Sequence, residues 1–269
     1  RRQAHDHGRN TGTHANQRLN SMPDAVCLGE AVLDFFSIPD GTPLKTARRF
    51  ECFPGGAPAN VAVALSRLGV QTGFIGAVGK DPFGKSLADL LHNEGVEVRL
   101  LQQVGHVPTT LAFVAKDSAD EQDFIIYRSA DVCLEAESLD ESYLKKAKIL
   151  VYNSVTLSSD GREAAMQAVE WVNESTGLVC FDANWRPFLW PDLARGKQEI
   201  HRGIESATLV KVNETELELL TGTQEPASGC RHLLEWGGKL CLATLGEQGS
   251  YYDNGRVQGW VPGFQVHAV

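Results

Sequence analysis

The sequence predicts an α/β protein: a mainly parallel central sheet covered by helices on both faces, with a small β lid projecting from it. Three observations carry this. Short, continuous apolar runs at Ala25–Gly29, Ile149–Tyr152, Leu178–Phe181 and Thr208–Val212 are of the kind buried in parallel sheets. Helical patterns separate them and give a strand–helix rhythm from Ala25 onward. Two segments break that rhythm. Residues 35–53 and 109–129 hold strand patterns with no helix between them, as strands leaving the main body would.

Ala25–Gly29 opens the sheet. Gly55-Gly56-Ala57-Pro58 then enters a helix over 57–68. Two glycines allow close backbone approach to a ligand, and Pro58 sits where a missing N–H costs nothing. Val61, Leu65 and Leu68 form the buried stripe expected of this helix. Gly73–Val78 is a strand, and 82–94 is a helix with Phe83, Leu87, Leu90 and Leu91 on one face. Thr110–Ala115 and Asp123–Arg128, joined by the polar Lys116–Gln122, read as a β-hairpin. Helices follow near 160–175, 193–206, 214–221 and 226–236, with a strand at Lys239–Ala243. Residues 1–21 are rich in Arg, His, Asn and Gln and almost free of apolar side chains. They read as a disordered or non-native tail, with Met22 as the natural start and an organelle transit remnant as the other origin. The domain is expected to occupy 22–269.

The chain has 269 residues, 42% of them hydrophobic and 22% charged, enough for one large domain or two small ones. A net charge of -9 argues against a nucleic-acid partner, because phosphate backbones need basic clusters. No run approaches the length of a membrane span, so no membrane partner is expected. Cys27, Cys52, Cys133, Cys180, Cys230 and Cys241 form no C-x-x-C pair. They read as small buried hydrophobes of a reducing compartment, the cytoplasm or alternatively a plastid or other organelle.

Polar motifs fall where strands end. In Gly29-Glu30-Ala31-Val32-Leu33-Asp34, the Asp34 carboxylate is expected at the C-terminal end of the first strand, facing the crevice where α/β proteins bind ligands. There it would accept from two hydroxyls; the alternative is a solvated turn aspartate. Asn60, one turn into the helix after Gly55-Gly56, adds an amide hook, and the three together suit a small polyol or else make an ordinary helix cap. Asp182-Ala183-Asn184-Trp185-Arg186 places a permanently charged fork, suited to a phosphoryl group or to a local ion pair. Lys211-Val212-Asn213-Glu214-Thr215-Glu216 has the form of a capping box, and Glu216 could also hold Mg²⁺ or its waters. Thr244-Leu245-Gly246-Glu247-Gln248-Gly249 offers small residues that can line a phosphate path. In a parallel sheet all these exits open on one edge. A competing motif, Gly79 to Ser86, matches the P-loop pattern G-x-x-x-x-G-K-[ST]. Its Pro82 lacks an N–H and its Asp81 would oppose phosphate, whereas Asp81 as N-cap and Pro82 as first residue of helix 82–94 need no special pleading.

In this order the motifs resemble the ribokinase/pfkB family of carbohydrate kinases, in its fructokinase-like branch, over about residues 24–269. The likeness rests on Gly55 through Gly79, including Asn60, Ala62 and Gly69, and on Gly29-Glu30 with Asp34. Phe124–Arg128, Asp182–Arg186, Asn213–Glu216 and Thr244–Gly249 complete it. It implies a ribokinase-like three-layer sandwich and ATP-dependent phosphorylation of a sugar hydroxyl. The branch favours fructose to fructose 6-phosphate over ribose, 2-keto-3-deoxygluconate or a nucleoside. It further implies that Asp34, Gly55, Gly56 and Asn60 hold the sugar while Arg128 closes over it. Asn184 and Arg186 would lie near the transferred group. Lys211, Asn213, Thr244, Gly246 and Gly249 would serve ATP, and Glu216 would serve Mg²⁺. There is room for K⁺, and for a homodimer formed through the lid. The family's second signature, a D-T-x-G-A-G-D-type segment with the proton-accepting aspartate, does not occur in these 269 residues. The base is therefore expected after Val269. The chain as it stands is expected to be inactive and marginally stable, with one sheet face short of helices. A kinase-fold protein that binds sugar without phosphorylating it is the alternative.

Overall fold

The computed structural model describes residues 22–116 and 122–264. The expected tail at 1–21, the turn of the lid hairpin at 117–121 and residues 265–269 lie outside the described residues. Apolar alternation and continuous runs build two sheets, a large one of nine strands and a small one of four. The large sheet starts with β1 (Ala25–Leu28), buried throughout. On one side of β1 lie β4 (Thr72–Gly79) and then the edge strand β5 (Glu97–Val104). On the other side lie β8 (Ile149–Asn153), β9 (Leu178–Asp182), β10 (Leu209–Asn213) and β11 (Leu240–Thr244). All of these run parallel. The antiparallel strands β12 (Ser250–Asp253) and β13 (Gln258–Val261) finish the far edge. Strand β5 and this terminal pair were not foreseen in the sequence.

Helices α1 (Ala57–Arg67) and α2 (Pro82–Asn93) cover one face through Cys27, Ala62, Phe74, Leu87 and Leu91. The expected stripe on α1 is corrected: Pro58, Ala59 and Ala62 are buried, Val61 and Leu65 only partly, and Leu68 is 81% exposed. Small side chains let this helix lie close to β1 and β4, so its larger residues are left at the flanks. At α2, Asp81 accepts the Gly84 N–H at 2.8 Å and Pro82 starts the helix, while Lys85 pairs with Asp89 on the exposed side. That arrangement is a capped helix, not a phosphate loop. Two short helices, α3 (Glu141–Leu144) and α4 (Ser154–Leu157), precede α5 (Arg162–Glu174) and α6 (Leu193–Glu205). Around these elements a second core forms from Leu28, Tyr152, Phe181, Ile200 and Ile204. α7 (Glu214–Thr221) and α8 (Pro226–Glu235) follow β10 as expected.

The small sheet has the order β3-β2-β6-β7, formed by β2 (Val32–Ser37), β3 (Phe50–Gly55), β6 (Leu111–Lys116) and β7 (Gln122–Tyr127). It is the separate lid the sequence implied. The ring contacts of Phe113 with Phe35, Phe50 and Tyr127 knit one of its faces. Asp34 therefore lies inside a lid strand, not at the exit of β1: the chain turns at Glu30–Ala31 and starts a new strand. The cysteine reading holds for Cys27, Cys230 and Cys241, which are buried; Cys52 is exposed on β3, and Cys133 and Cys180 are half-buried. No described helix is long and apolar enough to cross a membrane.

From β9 to β12 one face is buried and the other is not. Val179, Phe181, Val210, Val212, Cys241 and Ala243 are buried. Their neighbours Cys180, Leu209, Leu240, Leu242 and Tyr252 are half-buried, and Leu178 is 48% exposed. Register places Cys180 beside Leu209, Leu209 beside Leu240, and Leu242 beside Tyr252, so these side chains share one apolar strip. Exposed strips of this kind drive self-association. Leu178→Lys in the 269-residue chain should reduce dye binding and self-association while moving the melting temperature by no more than about 2 °C. A loss on the order of 10 °C would show that Leu178 is a covered core residue.

Candidate active site

The parallel strands deliver their C-terminal ends to one edge, and side chains there tie neighbouring exits together. After β1, Glu30 is buried; its Oε1 accepts the Ala57 N–H at the start of α1 at 3.0 Å. Asn153 at the end of β8 donates Nδ2 to Oε1 and Oε2 of Glu30 at 3.1 and 3.2 Å. The Ser154 hydroxyl reaches the carbonyl of Asn184 after β9 at 3.3 Å. Glu216, in α7 after β10, accepts the Trp185 N–H on Oε1 at 3.0 Å and the Asn213 N–H on Oε2 at 2.9 Å. Asn213 in turn accepts the Glu216 N–H at 2.8 Å, which completes the capping box. Asn213 and Thr244 are register partners on β10 and β11.

The structure brings the expected site residues together in two groups. In the first, the Asp34 carboxylate lies over Gly55, where a Cβ would collide with it. Burial raises the Asp34 pKa above the usual carboxylate value. Gly56 has φ +100, and a Cβ there would strike the Glu30 carbonyl. Asn60 is exposed on the first turn of α1. Gly55 and Asn60 also line a cavity of about 330 Å³ with Ala31, Ala59, Leu87 and Leu91; it lies between α1 and α2 and does not include the strand exits. Arg128 stands apart from this group. Its Nε and Nη2 meet Asp131 Oδ2 at 2.8 and 2.6 Å, and its Nη1 donates to the Ser158 hydroxyl at 2.7 Å and the Val155 carbonyl at 3.2 Å. Asp131 is buried and also takes the Thr110 hydroxyl. Arg128 thus anchors the foot of the lid to α4.

The second group occupies the exits of β9, β10 and β11. Asn184 has φ +35, a backbone conformation that Asn tolerates better than most residues and that often marks functional loops. Arg186 is half-exposed; its Nη1 donates to the Trp185 carbonyl at 3.1 Å and lies 4.0 Å from Glu216 Oε1. Lys211 pairs with Asp182 at 3.1 Å. Thr244 donates to the Val212 carbonyl at 3.3 Å. Gly246 and Gly249 lie in the hairpin turn between β11 and β12. Nothing stands within 4 Å of a Cβ built at Gly246, whereas Gly249 is closed in by Val261 and Gly263. Glu216 is only 3% exposed, and its pKa is raised by burial against the lowering effect of the Asn213 N–H and of Lys211. Both its oxygens are engaged, so it is placed to hold the Asn184–Arg186 loop and not as an open ligand. Among the described residues no three His, Cys, Asp or Glu side chains group as a metal cage. This donor set fits a cation that arrives on phosphates with its waters, not one held by protein alone.

Sequence reasoning missed the tie made by Asn153 and the anchor made by Asp131 and Thr110. Asn153 directly follows an apolar strand and caps α4, accepting the Thr156 N–H at 3.2 Å; that cap position was the available signal.

The mainly parallel sheet, the separate β lid and the polar edge between them match the architecture of the carbohydrate kinases. The chain belongs to the pfkB family of carbohydrate kinases, whose family model matches residues 22–269. It is 38% identical over 248 residues to fructokinase-2 of Solanum lycopersicum, covering 91% of this chain and 76% of that protein. It is equally similar, at 38% over 249 residues, to fructokinase-1 of Zea mays, covering 91% and 77%. Among solved structures, the fructokinase of Halothermothrix orenii superposes with a TM-score of 0.83 at 32% identity, covering 90% of this chain and 86% of that one. A putative ribokinase II from E. coli, in complex with ATP and Mg²⁺, gives 0.83 at 27%, covering 92% and 80%.

Glu30 makes a pH-dependent contribution. Burial raises its pKa to about 7, with the Asp131 charge adding to the rise and N–H donors from Ala57 and Asn153 opposing it. A raised carboxyl pKa means that the folded state holds the proton longer, so stability from this group is complete below the unfolded value and falls as pH rises through about 7. Thermal melts from pH 5 to 8 should show that decline, and Glu30→Gln should flatten it. An unchanged slope in the variant would assign the decline to other groups.

Proposed function

We propose that this carbohydrate kinase acts on fructose, transferring the terminal phosphoryl group of Mg–ATP to make fructose 6-phosphate. The observation that carries the reading is the Asp34 carboxylate set against Gly55 at the junction of lid and main sheet, in a chain 38% identical to plant fructokinases. A half-buried carboxylate accepts from adjacent sugar hydroxyls, and the bare backbone at Gly55–Gly56 lets the ring approach. Asn60 supplies a further donor and acceptor. On the other side of the edge, Arg186 and Asn184 face the transferred group. Lys211, Asn213, Thr244, Gly246 and Gly249 accommodate the nucleotide. When bound, Mg–ATP supplies the phosphoryl group. Glu216 orders the loop that carries Asn184 and Arg186, and it acts on the cation through water. K⁺ as an accessory is tested by exchanging it for Na⁺ in the same assay.

The carboxylates at these exits already have partners: Asp182 has Lys211, and Glu216 has two N–H groups. The family's second signature, with its proton-accepting aspartate, does not occur in these 269 residues, and they should bind fructose better than they phosphorylate it. Calorimetry with fructose should give weak binding that Asp34→Ala reduces by about tenfold or more. Arg186→Ala should leave fructose binding intact and lower ADP formation in a protein that turns over. Equal fructose affinity in wild type and Asp34→Ala would overturn the sugar assignment. Full turnover by the 269-residue chain would overturn the placement of the base. The cellular setting, cytoplasm or plastid, is open to localisation of a tagged protein.

The lid also supports a homodimer. Tyr127 is 63% exposed and Ile125 46%, beside the packed ring of Phe113. Tyr127→Asp should convert a dimer to monomer in sedimentation velocity; a wild type that sediments as a monomer at micromolar concentration would refute pairing through the lid.

A further inference from the structure

Helix α1 begins at Gly56, which brings no side chain to cap it. Its first N–H, on Ala57, is instead taken by Glu30, 27 residues earlier in the chain. Glu30 is 6% exposed, and its hydrogen-bonding neighbours are all donors: the Ala57 N–H at 3.0 Å and the Asn153 amide at 3.1 and 3.2 Å. Asn153 has no freedom to turn its amide over. Its Oδ1 is held at the start of α4 by the Thr156 N–H and hydroxyl at 3.2 and 3.3 Å, so Nδ2 must face Glu30. Glu30 also approaches the turn through its main chain, since its carbonyl is what a Cβ on Gly56 would strike. Burying a carboxylate is costly unless its lone pairs are met, and here they are met by groups that belong to two separate elements. What is fixed as a result is the Gly55–Gly56 turn and the first turn of α1, the segment that carries Asn60.

We propose that Glu30 is a positioning residue for the sugar site: a hydrogen-bond-accepting clamp, set by Asn153, that caps α1 from outside and holds Gly55 and Asn60 in the geometry that receives substrate. The inference rests on reading Asp34, Gly55 and Asn60 as the sugar site. It makes hydrogen-bond polarity at residue 30, not size, the property that matters. The charged group that burial has left near this carboxylate is Asp131, itself paired with Arg128.

Exchanging the polarity tests it. Glu30→Gln keeps the shape and still offers an oxygen to Ala57, but its new amide nitrogen faces the Asn153 amide, donor to donor. Adding Asn153→Asp turns the partner into an acceptor and leaves an oxygen to cap α4. In calorimetry with the purified protein, Glu30→Gln should weaken fructose binding by about tenfold. Mg–ATP binding to the same variant should stay within about twofold, because the nucleotide contacts lie elsewhere on the edge. The double variant should return fructose affinity to within about threefold of wild type. The clamp is wrong if fructose affinity is unchanged in Glu30→Gln, if both ligands weaken equally, or if the double variant is no better than the single. Should wild type bind no fructose, the sugar reading fails by itself. The clamp is then read from hydrogen exchange at the Ala57 and Asn60 amides. Faster exchange in Glu30→Gln that the double variant reverses supports it, and unchanged exchange overturns it. If Glu30→Gln alone does not fold, a folded double variant with native exchange at these amides supports the clamp, and an unfolded one overturns it.

Discussion

Parallel strands create a problem at their C-terminal edge. Each chain leaves the sheet there, ladder bonds stop, and helix N-termini begin with unpaired N–H groups. In this protein the edge is closed by side chains that each serve two elements. Glu30 and Asn153 join the exits of β1 and β8 to the start of α1. Ser154 joins the exits of β8 and β9. Glu216 joins the exit of β9 to α7 and the end of β10. Glu30, Asn153, Ser154 and Glu216 are therefore fixed for a structural reason: moving any one of them leaves a buried donor or acceptor unmet, at a cost of about 1–3 kcal/mol. Pre-organised groups of this kind are what a phosphoryl-transfer site requires, since the protein contributes mainly position and charge.

The lid is held by a different device. It has no helix of its own and stays attached through Arg128 and Asp131 at its foot, a pair almost entirely withdrawn from water. Breaking one member of a buried pair is far more damaging than the pair is stabilising, so such a joint works as a fixed pivot. At its other end Phe124 of β7 meets Phe188, in the turn after Arg186, with ring centroids 5.4 Å apart. The lid thus spans from the Asp34–Gly55 group to the loop that carries Asn184 and Arg186. Asp34 on β2 and Gly55 at the end of β3 belong to the lid, whereas Gly56 and Asn60 belong to the start of α1, so this group is assembled across the junction of the two.

Much of this was legible in the chain, and for identifiable reasons. The strands β8, β9 and β10 are central in a parallel sheet and largely apolar on both faces, so their runs have little polar interruption to confuse them. Asn213 and Glu216 announce a capping box by spacing alone. Asp81-Pro82 announces a helix start strongly enough to outweigh a P-loop pattern. The failures have physical causes too. Asp34 was placed at the end of the first strand because Gly29 is the one break signal at the turn and the apolar run resumes at once with Ala31 and Val32, so the pattern shows an interruption but not a change of sheet. Leu68 looked buried because periodicity counts apolar residues and not their size; α1 packs through Ala59 and Ala62 instead. The ties made by Asn153 and Asp131 join residues far apart in sequence, which no local pattern encodes.

Glu216 shows how one residue can satisfy a local rule and a functional one together. As the third residue of α7 it meets the Asn213 N–H, an ordinary capping interaction; its other oxygen meets Trp185 N–H across the strand exit. A carboxylate with both oxygens so occupied is a poor sole anchor for a bare Mg²⁺, which demands near-octahedral geometry and dehydrates reluctantly. It is well suited to accept from metal-bound water with its remaining lone pairs, because its N–H partners hold it in one orientation and its burial keeps the field unscreened. The same contacts keep Asn184 in its left-handed conformation and Arg186 beside it. Loop order and helix cap are then two consequences of one buried side chain. Loss of Glu216 would therefore disturb the cap and the loop together, and a shape-conserving change such as Glu216→Gln separates contact from charge: its oxygen can still take one N–H while its charge is gone.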